Sequence, residues 1–292
     1  MNIKAIFTRM GKIFPHPVAM NDIRKMKRRE LTSEEKKKPY AKYYYKELAE
    51  IPAGDLDKVN AGPVDSSRAT KIQNRNDLMK PGYLDVETGY TVMPDGSGFA
   101  ATLVKMPGVT PEMLDWWFNW HPLEGLRYAI WCPIAHIGIS VKKPERHMDS
   151  SGIALKERNY GSKHYPVEGF NVQGAETVRI EFFSPADFGL DMGMFKEPGI
   201  SRSYCANVII NTWNLPFNVF FHAIREVKGG IEYRSRYWVG YTMKSGRPVR
   251  PLLPLPFKMM DLARNNCLHS LTEYKNLASF LPQLYKEMGG KI

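Results

Sequence analysis

Hydrophobic spacing changes three times along the chain. Between residues 82 and 106, strand-forming residues flank Pro94-Asp95-Gly96, which predicts a hairpin of strands at 82–93 and 96–106. Thr110-Pro111-Glu112 then offers a capping hydroxyl, a first-turn proline and an early acid, the signature of a helix start. That helix continues through the aromatic MLDWWFNW, and a second short one is expected at 123–129. From residue 135 the period becomes two, with strands at 137–141, 177–183 and 204–213. A further pair, 217–227 and 231–243, is joined across Lys228-Gly229-Gly230. Residues 144–169, rich in charge and glycine, read as a loop. Ahead of the hairpin, the aromatic PYAKYYYKELAEI (39–51) leads into a short helix near 55–59.

The last periodic stretch, 257–285, follows a stiff linker with prolines at 248, 251, 254 and 256. Its helical period puts Leu262, Leu277, Phe280 and Leu284 on one half and Arg264, Lys275, Ser279 and Lys286 on the other. Pro282 is expected to end or kink it. Many antiparallel strands followed by one long C-terminal helix predict an α+β architecture. A curved sheet around such a helix, the helix-grip arrangement, leaves a cavity suited to a small aromatic molecule.

His269 and Glu273 fall at the edge of the apolar half. Four residues apart on a helix, they share a face and can converge on one cation. A buried carboxylate needs a partner. The alternative is that the pair bonds to itself or to an arginine. Cys132, Cys205 and Cys267 are widely separated with no C-x-x-C, so any metal would take His and carboxylate ligands, which suits a catalytic rather than a structural site. His136 and His222 each enter an apolar strand, and Tyr237 follows Arg234-Ser235-Arg236. Each can be a functional group or a hydrogen-bonded core residue. Glu157, Glu168, His147 and His164 lie in the expected loop, and any of them could complete a metal shell.

Charge alters this picture little. The net charge is +11, but residues 1–46 hold 13 basic and four acidic side chains, while the other 246 hold 28 and 26. The excess belongs to an N-terminal arm, chiefly 24–29 and 36–38, over a nearly neutral body. No nucleic-acid motif accompanies it, so no nucleic-acid partner is expected. No apolar run is long enough to span a bilayer, and the first residues lack the apolar core of a secretory signal. An odd cysteine count without framework spacing fits a reducing, cytoplasmic setting.

Three stretches together resemble the 2,4-diacetylphloroglucinol hydrolases and the related phloretin hydrolases. They are MLDWWFNWHPLEGLRYAIWCPIAH (113–136), EYRSRYWVGY (232–241) and HSLTEYKNLASFLPQLY (269–285), and the Tyr-Tyr-Tyr run before Ile51 also fits. The similarity runs from about residue 39 to 285, and the arm before Pro39 has no counterpart. The resemblance implies a Bet v 1-like helix-grip catalytic domain at 81–292 and a helical dimerisation segment at 39–80, which leaves the basic arm at 1–38 as a separate segment. It also implies a homodimer that cleaves the bond between ring and acyl carbonyl in a small aromatic ketone, using Zn2+ or another divalent metal. His136, Glu168, His269 and Glu273 match metal ligands. Tyr128 and Tyr237 match tyrosines on the substrate carbonyl, and His222 matches a histidine near a ring hydroxyl, where it can act as general acid and base. The chain departs from the family at Ile137-Gly138-Ile139, where a polar amide is usual, and this bears on substrate identity. The competing expectation is a non-catalytic helix-grip binder of an aromatic ligand, which would not need His136, His269 and Glu273 together. If the arm carried the function, deleting 1–38 would abolish it; an enzyme would keep its active site.

Overall fold

A computed structural model of the chain describes residues 23–171, 174–195, 199–251 and 258–292. Alternating apolar residues build an eight-stranded antiparallel sheet. Its strands are β1 (Gly89–Val92), β2 (Gly98–Pro107), β3 (His136–Val141), β4 (Lys163–Asn171), β5 (Gly174–Phe183), β6 (Ile200–Ile210), β7 (Leu215–Val227) and β8 (Gly230–Val239). Their spatial order is β1-β2-β8-β7-β6-β5-β4-β3. β3 to β8 form a continuous meander, and the β1–β2 hairpin is added beside β8. A small hairpin of β9 (Thr242–Lys244) and β10 (Arg247–Val249) stands apart.

Among the described residues, six α-helices accompany these strands. Three short ones precede the sheet: α1 (Ser33–Lys36), α2 (Ala41–Tyr45) and α3 (Ala53–Asn60). Two, α4 (Pro111–Trp120) and α5 (Gly125–Ala129), lie in the connection from β2, next to edge strand β1, to β3 at the opposite edge of the sheet. The Thr110 hydroxyl caps α4 by accepting from the Met113 amide at 3.4 Å, as its sequence predicts. The last, α6 (Met259–Met288), lies on the inner face against β1, β2 and β8. Thr102 and Ser270 hydroxyls meet at 2.8 Å across that contact. This is the α+β helix-grip arrangement that the sequence led us to expect.

Two expectations need correction. β4 runs through the second half of the stretch read as a loop. Pro166 and Gly169 disguise it, yet it pairs with both β3 and β5. Pro282 does not end α6, which continues to Met288 and stops at Gly289 in a left-handed conformation (φ 66). A helix-interior proline costs about 3 kcal/mol. Phe280, Leu281 and Leu284, fully buried around it, together offset that at about 1.5–3 kcal/mol each. Pro254, Pro256 and Phe257 lie outside the described residues.

Both faces of the central strands are covered. Phe220, His222, Tyr233 and Tyr237 point toward α6; Val219, Phe221 and Trp238 point the other way, onto a second core with Ile72, Leu78 and Met79. Burial on both faces explains why β7 reads as a nearly unbroken apolar run. Ile23, Leu31, Tyr40, Tyr43 and Tyr44 are buried in the same core as α6. Among the described residues no helix is long and apolar enough to cross a membrane.

On the outer face Arg234 and Arg236 are both fully buried. Glu87 accepts from Arg234 at 2.5 and 3.1 Å and lies 3.0 Å from Arg236. One carboxylate thus serves two buried guanidinium groups. Glu87→Ala should lower unfolding free energy by about 3–5 kcal/mol, because it strands buried charge; a denaturation midpoint close to wild type would show that solvent reaches the arginines.

Candidate active site

The cavity between α6 and the inner face is lined by Tyr128, His222, Tyr237, His269, Glu273 and Tyr274 among others. Its volume of about 140 Å³ is on the scale of a single aromatic ring. At one side three donor groups converge. His136 opens β3, and His269 and Glu273 share one face of α6, as their spacing predicts. His136 Nε2 and His269 Nε2 stand 3.2 Å apart, and each is 3.5 Å from Glu273 Oε2. Donors around a tetrahedral zinc with bonds of about 2.0–2.2 Å stand about 3.3–3.6 Å apart. The observed spacing is close to that, and two imidazoles with a carboxylate suit zinc, manganese, iron or cobalt. The residues fit a divalent cation.

Their surroundings orient them for it. The His136 Nδ1 faces the Tyr128 carbonyl at 3.3 Å, which leaves Nε2 toward the cluster. The Tyr128 ring stacks on His136 at 4.0 Å, nearly parallel. Burial alone would raise the Glu273 carboxyl, but His269 and His136 hold it down at about 2. Burial lowers His269 in turn, and Glu273 overrides this to bring it to about 8. Glu168 sits on β4 directly opposite His136 in the ladder and lines the same cavity. It is not one of the three clustered donors; its carboxylate accepts the Tyr128 hydroxyl.

His222 lies across the cavity on β7. Its Nδ1 is 2.8 Å from Ser235 Oγ, its cross-strand neighbour, and its Nε2 is 3.2 Å from the Tyr274 hydroxyl. Burial holds it down at about 3, so the ring is neutral. Tyr237 shares the Ser235 face of β8, and burial followed by the Glu273 charge keeps its phenol protonated. Ser235 and Tyr274 escaped the sequence reading. The two-residue strand period would have put Ser235 beside Tyr237, whereas Tyr274 lay unused within the HSLTEYK motif.

Of the other residues weighed, Glu157 is exposed. His147 and His164 face each other with Nε2 atoms 3.3 Å apart, away from the three-donor cluster. Two lining side chains, Ile23 and Met26, come from the basic arm, which the sequence reading had placed apart from the active site.

The chain is thus an α+β helix-grip domain whose aromatic-lined cavity carries a His-His-Glu cluster able to hold a metal ion. The family described as the DAPG hydrolase PhiG domain matches residues 70–286, and the chain belongs to this family of hydrolases. It is 31% identical over 269 residues to a 2,4-diacetylphloroglucinol hydrolase from Pseudomonas sp, covering 86% of this chain and 89% of that protein. It is 30% identical over 266 residues to the phloretin hydrolase of Eubacterium ramulus, covering 87% and 92%. Among solved structures, the crystal structure of Ara h 8.0201 aligns with a TM-score of 0.39 at 11% identity, over 64% of this chain and 99% of that one.

Besides His222, burial holds His121 at about 3, His147 at about 4 and His164 well below the usual range. Each stays neutral in the fold while the unfolded chain takes up a proton below the ordinary 6.5. The unfolded state then binds more protons, so stability falls as pH drops from 6.5 toward 4, by about 1.4 kcal/mol per pH unit for each such histidine. His269 acts oppositely, and only between 6.5 and about 8. Thermal unfolding from pH 7 to 4.5 should show a steep fall in Tm; a flat profile would mean these rings take up protons while folded.

Proposed function

We propose that the chain hydrolyses the carbon–carbon bond between the ring and the acyl carbonyl of an acylphloroglucinol, releasing a phenol and a carboxylic acid. Family membership supports the reaction class. The observation that carries it to this chain is the convergence of His136, His269 and Glu273 on one side of the cavity, facing His222 and Tyr237 on the other. A pocket of roughly single-ring size favours a short acyl group, as in 2,4-diacetylphloroglucinol, over the aryl-propionyl arm of phloretin.

A divalent cation, zinc in our reading, would be held by His136, His269 and Glu273 with Glu168 as the fourth ligand, and when bound it supplies Lewis acidity toward the acyl carbonyl and the attacking water. The chain's own residues handle protons. The ring cannot leave as a bare carbanion, so its acyl-bearing carbon must first take a proton while a ring hydroxyl becomes a ketone. Water then adds to the acyl carbonyl, the carbon–carbon bond breaks, and its electron pair returns to the ring, restoring the phenol.

His222 is suited to the first step because it is neutral. It accepts a proton at one nitrogen as it releases one from the other, with Ser235 and Tyr274 at its two ends. Tyr237 remains a phenol and donates to the acyl oxygen as charge builds there. Tyr128 donates its one proton to Glu168 beside the cation site in the empty cavity, and turns it to the acyl oxygen, next to Tyr237, when substrate enters and frees that carboxylate for the cation.

Incubating the protein with diacetylphloroglucinol should release acetate, and a chelator should stop it. Mass spectrometry reads both, and acetate release that survives removal of all metal would refute the metal's role. His222→Ala should lower kcat by about 10²–10⁴-fold with metal content unchanged. Loss of metal in that variant would instead assign His222 to the cation shell.

A further inference from the structure

The groups assigned to chemistry, His136, Glu168, His222, Tyr237, His269 and Glu273, all lie within the family-matched residues 70–286. Part of the cavity wall does not. Ile23 and Met26 belong to the arm ahead of that stretch, yet both line the cavity, and Ile23 is 4% exposed. The single turn of 3₁₀ helix that carries Ile23 (Ile23–Lys25) touches α6. Met26 rests on Gly169, one residue beyond Glu168, and its terminal methyl lies 2.5 Å from where a Cβ at 169 would stand. Only a glycine leaves that methyl its present place.

This part of the arm is fastened. Arg29 Nε donates to the Ile137 carbonyl on edge strand β3 at 3.0 Å, and its guanidinium pairs with Glu35 at 2.5 and 2.9 Å. The Tyr44 hydroxyl donates to the Arg29 carbonyl at 2.8 Å, and Arg28 donates to the Lys46 carbonyl at 2.6 Å. Ile139, two residues along β3 from the anchor, lines the cavity as well. The arm therefore closes the cavity beside the β3–β4 edge with apolar groups, and among its described residues only Ile23 and Met26 line it.

We propose that Ile23 and Met26 determine which acyl chain the pocket accepts, with Met26 the adjustable element because its unbranched thioether repacks readily. This rests on the acylphloroglucinol reading above. In an apolar pocket one methylene changes kcat/KM discrimination by about 10–200-fold. Shortening Met26 should therefore favour the longer ketone by at least about tenfold.

The test compares kcat/KM for diacetylphloroglucinol and phloretin in wild type, Met26→Ala, Gly169→Ala and the double variant. Met26 is half-buried, and Gly169 has no left-handed φ, so the backbone tolerates both changes. Met26→Ala should raise the phloretin-to-diacetylphloroglucinol ratio at least about tenfold. Gly169→Ala should change the ratio only while Met26 is present, and the double variant should match Met26→Ala. Hydrolysis with the same ratio in wild type and Met26→Ala overturns the wall proposal and leaves the function standing. A Gly169→Ala effect that persists without Met26 also overturns it, since the glycine would then act through Glu168. A metal-loaded wild type that hydrolyses neither ketone overturns the acylphloroglucinol reading itself.

Discussion

Glu273 places a carboxylate in the wall of an apolar cavity, and the site is organised around that burial. A charge removed from water must be met by opposite charge or by a cation. The His136 and His269 imidazoles each lie 3.5 Å from it, and the three groups together could hold a metal ion. Because His136 opens β3 and Glu273 sits on α6, the cluster ties the far edge strand to the helix that the sheet encloses. Tyr128 and Glu168 extend the same polar patch outward.

The opposite side of the sheet meets a related constraint differently. There Arg234 and Arg236 are buried against Glu87, so the carboxylate is met by two guanidinium groups. Strand alternation separates the two settings. On β8 the even positions, Arg234 and Arg236, hold the scaffold, while the odd ones, Tyr233, Ser235 and Tyr237, face the α6 side. One strand thus lines a buried ion pair on one face and the cavity on the other, which is possible because its side-chain period is two. The buried neutral histidines around the cavity belong to the same economy of space. Burial keeps His222 uncharged, the state that the proposed proton transfer requires.

Much of this was legible residue by residue. The β1–β2 hairpin, the Thr110 cap of α4, the β7–β8 pair and the long amphipathic α6 all follow from local spacing. So does the shared face of His269 and Glu273, since four residues on a helix subtend a fixed angle. Strand β4 escaped because Pro166 and Gly169 weaken its pattern; its pairing is supplied by β3 and β5, which no local window contains. Pro282 was misjudged for a related reason, since the packing of Phe280, Leu281 and Leu284 outweighs the lost backbone bond. Tyr274 and Ser235 were missed because their importance comes from touching His222, not from their own neighbours.

The sequence by itself determined the elements, their order and the residue types able to do metal and proton chemistry. These depend on backbone geometry over a few residues, which repeats wherever the pattern occurs. Tertiary structure alone decided which of those residues meet. His136 and His269, 133 positions apart, become neighbours only when the sheet closes on α6. Met26 reaches Gly169 across a comparable distance of chain, and an arm that reads as solvated charge turns an apolar side inward. Contacts of that kind are selected by how apolar surface is buried over the whole domain, and short-range spacing carries no record of that choice.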